Sequence, residues 1–139
     1  MSIDELNEFI NISLEFNIKY KFNKKHQLVT AVRNIVYFIH NANLNFFDVS
    51  KINDLSWLFH HLNFDGDISK WDVSNVTIMS YMFGESDFNG DISEWNVSNV
   101  RHMNRMFECA MKFNQDISGW DVSNVKDMSN MFASAKSFN

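Results

Sequence analysis

The chain has 139 residues, 14 of them Phe, eight Met and four Trp, with no Pro, one Cys and a formal net charge of −5. That length carries one domain with a real core. The aromatics supply buried area without cross-links, and a lone Cys109 excludes an intramolecular disulfide.

The start, MSIDELNEFINISLEFNIKY, has no basic leader region and no unbroken apolar stretch. As written, the sequence is expected to be cytoplasmic and to insert nothing into a membrane. Residues 1–42 are expected to form an N-terminal α/β cap. A helix is predicted over 2–15, opened by a capping box of Ser2 and Glu5, with Leu6, Phe9, Ile10 and Leu14 on one face. Phe16, Ile18, Tyr20 and Phe22 alternate, which predicts a half-buried strand over 16–22. Lys19, Lys21, Lys24 and Lys25 read as its solvated edge and turn. A second helix is predicted over 25–40, with Leu28, Ala31, Val32, Ile35 and Ile39 toward the core. Helix 2–15 has a functional alternative as a partner-binding helix.

Residues 43–139 are repetitive. FDGDISKWDVSNVTIMSYMF (64–83) returns as FNGDISEWNVSNVRHMNRMF (88–107) and FNQDISGWDVSNVKDMSNMF (113–132), after a degenerate copy, LNFFDVSKINDLSWLF. Copies start near 43, 67, 91 and 116. The DISxW(D/N)VSNV part, rich in β-branched residues and Trp, predicts short strands around a turn. Met79, Met82 and Phe83 stand at i, i+3, i+4, as do Met103, Met106 and Phe107, then Met128, Met131 and Phe132. That spacing predicts a short helix in each copy, N-capped by Asn75, Asn99 and Asn124, with Asp127 completing a capping box. Stacking such units gives an α/β solenoid of about four strand–turn–helix repeats, its sheet side concave and its helix side convex.

Equivalent residues then form ladders, with Trp95 between Trp71 and Trp120. Asp67, Asp91 and Asp116 invite a calcium reading, but short polar side chains that satisfy turn N–H groups explain them better.

The repeated FNxDISxWDVSNVxxMxxMF closely resembles the repeat of BspA-like leucine-rich-repeat surface proteins, including mycoplasma lipoproteins. The resemblance runs from Asn43 to the end, and LVTAVRNIVYFIHNANLNFFDVS is similar to that family's entry segment. It implies a leucine-rich-repeat-like solenoid used for protein–protein or adhesive contact at the cell surface, without catalysis.

The residues point the same way. His26, His40, His60, His61 and His102 fit no metal spacing, VSNV is a turn and not a nucleophile elbow, and four Gly make no phosphate loop. No enzyme activity, cofactor or metal is expected. The acidic balance of residues 43–139, thirteen Asp and Glu against seven Lys and Arg, argues against direct nucleic-acid binding by the repeats. Specificity should lie where the copies differ, at Trp57, Tyr81, Arg105 and Asn130, with Asp54, Ile78, His102 and Asp127 beside them. Trp, Tyr and Arg are hot-spot types, though they also stack on one another structurally. The apolar end around Phe132 and Phe138 is the competing surface, for a partner or a homodimer. The leading expectation is a non-enzymatic protein–protein interaction module. The alternatives are a small acidic inhibitor or decoy of a nucleic-acid-handling enzyme, of phage or mobile-element type, and a fragment of a surface adhesin.

Overall fold

A computed structural model describes residues 1–139. Helix α1 spans Ile3–Glu15, strand β1 Tyr20–Lys21, helix α2 Lys25–Val36 and strand β2 Phe47–Asp48. The strands pair in parallel, Tyr20 with Phe47 and Lys21 with Asp48. No helix is long and apolar enough to cross a membrane.

The capping box forms as its residue types require. The Glu5 N–H donates to Ser2 Oγ at 3.2 Å, and the Ser2 N–H donates to Glu5 Oε2 at 2.6 Å. Ile10 is buried, and Leu6, Phe9 and Leu14 pack at the edge of the core. The expected strand over 16–22 shrinks to two residues, and Phe16, Ile18 and Tyr20 are exposed. In α2, Leu28, Val32 and Ile35 are buried, and Lys25 Nζ reaches Asp54 Oδ1 at 3.0 Å and Ser56 Oγ at 2.6 Å, tying the helix to the first copy.

The predicted solenoid of strand–turn–helix repeats is not the fold. The copies contain no helix, and strand pairing within them is reduced to single parallel bridges: Asn43–Asp67, Asp54–Ile78, Ile78–His102 and His102–Asp127. What remains is a small mixed fold of two helices, a two-stranded sheet and successive turns. The convex helical face is therefore absent.

Backbone conformation explains the difference. Trp57, Tyr81, Arg105 and Asn130 have φ of 65°, 57°, 56° and 56°, and His61, Glu85, Cys109 and Ser134 have φ of 54–58°. A left-handed residue every fourth position cannot belong to a right-handed helix. The N–H groups of Met79, Tyr81, Phe83 and Glu85 instead donate to the carbonyls of His102, Asn104, Met106 and Glu108, at 2.8–3.1 Å. The next step repeats this from Met103, Arg105, Phe107 and Cys109 to Asp127, Ser129, Met131 and Ala133. Backbone groups that a helix would satisfy internally are satisfied between copies.

In the middle copies the i, i+3, i+4 residues face inward, with Met79, Met82, Phe83, Met103, Met106 and Phe107 all fully buried, whereas in the last copy Met131 is buried, Phe132 half-buried and Met128 exposed. Two columns of Phe run through the core. Phe59, Phe83, Phe107 and Phe132 stack at 5.4–5.5 Å. Phe64, Phe88, Phe113 and Phe138 stack at 5.8–6.4 Å. The Trp residues do not stack on one another. Trp71 meets Phe59 at 5.9 Å and Trp95 meets Phe83 at 6.3 Å, and each Trp donates its indole N–H one copy back, Trp71 to the Leu44 carbonyl, Trp95 to Ile68 and Trp120 to Ile92.

The Asn ladder is likewise not a set of helix caps. The side-chain amides of Asn75, Asn99 and Asn124 donate to the carbonyls of Ser50, Ser74 and Ser98, bridging copies at 2.7–2.8 Å. Asp67, Asp91 and Asp116 accept the N–H of the Ser two residues on, the turn role expected of short polar side chains. Asp127 does the same for Ser129 and caps nothing.

Candidate functional site

Copy-to-copy pairing brings the variable residues into one row. Trp57 and Tyr81 stack with ring centroids 3.9 Å apart and planes 11° from parallel. The Arg105 guanidinium carbon lies 5.6 Å from the Tyr81 ring centre, within cation–π range. Arg105 Nη1 also donates to Glu108 Oε1 at 2.9 Å. Trp57 is 47% exposed, while Tyr81 and Arg105 are half-buried against each other. The row sits on a ridge of left-handed turns rather than on a helix.

The neighbouring residues serve the backbone. Asp54, Ile78, His102 and Asp127 are the bridge positions between copies. The Asp54 carboxylate holds Lys25 and the Ser56 N–H. Ile78 and His102 are half-buried beside the row.

At the other end, Phe132 and Phe138 stack at 3.9 Å and are half-buried, and Val122 and Met128 of the same copy are exposed. The N–H groups of Met128, Asn130, Phe132 and Ser134, counterparts of the donors that link earlier copies, have no backbone acceptor in the chain.

A second cluster, invisible to spacing along the chain, adjoins the row. His61 Nδ1 lies 3.3 Å from Glu85 Oε2, and His60 Nε2 lies 4.0 Å from Glu85 Oε1. The His60 ring packs edge-on against Trp57 at 4.6 Å and His61 at 3.9 Å. Burial, and then the neighbouring His61, pushes the His60 imidazole below the ordinary histidine range. The available signal was the repeat alignment, because His61 and Glu85 occupy the same position in successive copies.

The chain belongs to the family described as Mycoplasma protein of unknown function, DUF285, whose profile matches residues 16–139. The match takes in β1, α2 and every copy. No curated protein and no solved structure matches the chain.

Proposed function

We propose that the chain is a non-enzymatic protein–protein interaction module, with Trp57, Tyr81 and Arg105 as its contact face and Ile78 and His102 at its margin. One observation carries this reading. The core positions around the row repeat almost unchanged, while the row changes from Trp to Tyr to Arg to Asn. Packing fixes the former and leaves the latter free to be chosen by a partner. The side chains are of the types that dominate interface energetics, and the row presents aromatic surface beside a cation. The likeness of the motif to BspA-like surface proteins supports a contact role.

The test places a photo-reactive phenylalanine analogue at position 81, and at position 94 as a control elsewhere in the repeat, in extracts of the native host. The reading expects a discrete, light-dependent adduct from position 81 that position 94 does not give. Equal labelling from both, or none from 81, contradicts it. A nuclease or polymerase in the adduct would identify an inhibitor, and a surface or host glycoprotein an adhesin.

A further inference from the structure

We propose that His60 Nε2, His61 Nδ1 and a Glu85 carboxylate oxygen form a binding site for a divalent transition metal of the Zn²⁺ class. Their ligand atoms already lie within 4.8 Å of one another. The carboxylate offers one oxygen to each imidazole, Oε2 3.3 Å from His61 Nδ1 and Oε1 4.0 Å from His60 Nε2. Tetrahedral coordination at about 2.0–2.2 Å places ligand atoms roughly 3.3–3.5 Å apart. Closing to that spacing asks only for rotation of two exposed side chains, His61 and Glu85, 61% and 49% exposed.

The surroundings hold the ligands in place. The His61 N–H donates to the Gly84 carbonyl at 3.1 Å, and the Glu85 N–H to the Glu108 carbonyl at 2.8 Å. These bonds and the shared left-handed backbone at residues 61 and 85 fix the two side chains in adjacent tiers. His60 lies against Trp57, which restrains its ring. A side chain at Gly84 would put its Cβ 2.9 Å from His60 Cδ2, so glycine leaves the room that ring occupies. Two imidazoles and one carboxylate suit Zn²⁺, Co²⁺ or Ni²⁺ rather than Ca²⁺ or Mg²⁺, which favour all-oxygen shells. Three protein ligands would leave a fourth position open.

The experiment is calorimetric titration of the untagged full chain with ZnCl₂, repeated with CoCl₂ to read the tetrahedral visible spectrum, and imidazole ¹⁵N NMR to identify the nitrogens. One Zn²⁺ per chain is expected, with the His60 and His61 resonances shifted. Losing a supporting partner costs roughly 10–100-fold in metal affinity, so His61→Ala and Glu85→Gln, which remove ligands, should each cost at least that. Gly84→Ala should weaken binding with every ligand retained, and His102→Ala should leave it unchanged. Absence of saturable 1:1 binding, or affinity indifferent to His61→Ala and Glu85→Gln, would overturn the proposal and leave a plain histidine–glutamate ion pair.

Discussion

Trp57 and Tyr81 lie face to face, 3.9 Å between ring centroids, although 24 residues separate them along the chain. Both have left-handed backbones, φ 65° and 57°. The stack is a product of backbone pairing between copies: the Trp57 N–H donates to the Ser80 carbonyl, and the Tyr81 N–H to that of Asn104. A row built this way keeps its geometry while its side chains vary.

The left-handed turns make a prediction opposite in sign to a helix. Asn130 is exposed with φ 56°. In a helix, Asn130→Ala would stabilise by about 0.5 kcal/mol. In the left-handed region it removes a tolerated residue and should destabilise by about 1 kcal/mol. Urea denaturation decides between them, and a gain in stability would contradict the turn.

Trp95→Ala should nearly unfold the chain. It deletes a side chain only 4% exposed, and such truncations cost roughly 3–5 kcal/mol. It also leaves the Ile68 carbonyl without its indole donor. Trp95→Phe should recover part of the loss, since it refills volume but not the hydrogen bond. A melting temperature for Trp95→Ala within a few degrees of wild type would contradict the packing.

Two glycines separate packing from composition. An added methyl at Gly66 collides with the Ala42 carbonyl and the Phe64 ring, whereas at Gly119 it meets nothing within 4 Å. Gly66→Ala should lower the melting temperature sharply and Gly119→Ala should not. Equal effects would show that the copies approach each other differently.

Acid should destabilise through the turns. Asp116 and Asp121 are held below the usual carboxylate value of 3.8 by hydrogen bonds from the Ser side chain and then the N–H two residues on; at Asp91 the Ser93 N–H is the larger cause. Depressed pKa values contribute stability that is present above 3.8 and lost as pH falls through the folded values below it. Asn96 already fills such a turn, accepting both the N–H and the hydroxyl of Ser98. Replacing Asp91, Asp116 and Asp121 together with Asn should therefore flatten the acid limb of melting temperature against pH. An unchanged limb would place the titration elsewhere.

The sequence displayed the copies, the inward Met and Phe positions, the start of α1 and the buried face of α2. It misled at the M-x-x-M-F segments because i, i+3, i+4 spacing puts residues on one side in a helix and also in this chain of turns. Nothing local in Tyr81 or Arg105 announces a positive φ, which is imposed by hydrogen bonding to the next copy. The Phe columns lay in plain sight as Phe at two fixed places in each copy, yet their stacking depends on that pairing. His60, His61 and Glu85 escaped because metal-spacing rules run along a chain, whereas these residues meet across two copies.

We propose that partner contact centres on the Trp57–Tyr81–Arg105 row. Once the cross-linked partner is in hand, the direct test is its Kd for Tyr81→Ala and Arg105→Ala against Phe138→Asp, each confirmed folded by circular dichroism. Each row substitution should weaken binding by roughly thirtyfold, about 2 kcal/mol, while Phe138→Asp should leave affinity unchanged. Affinity indifferent to Tyr81 and Arg105 but abolished by Phe138→Asp would contradict it and move the contact to the Phe132–Phe138 edge.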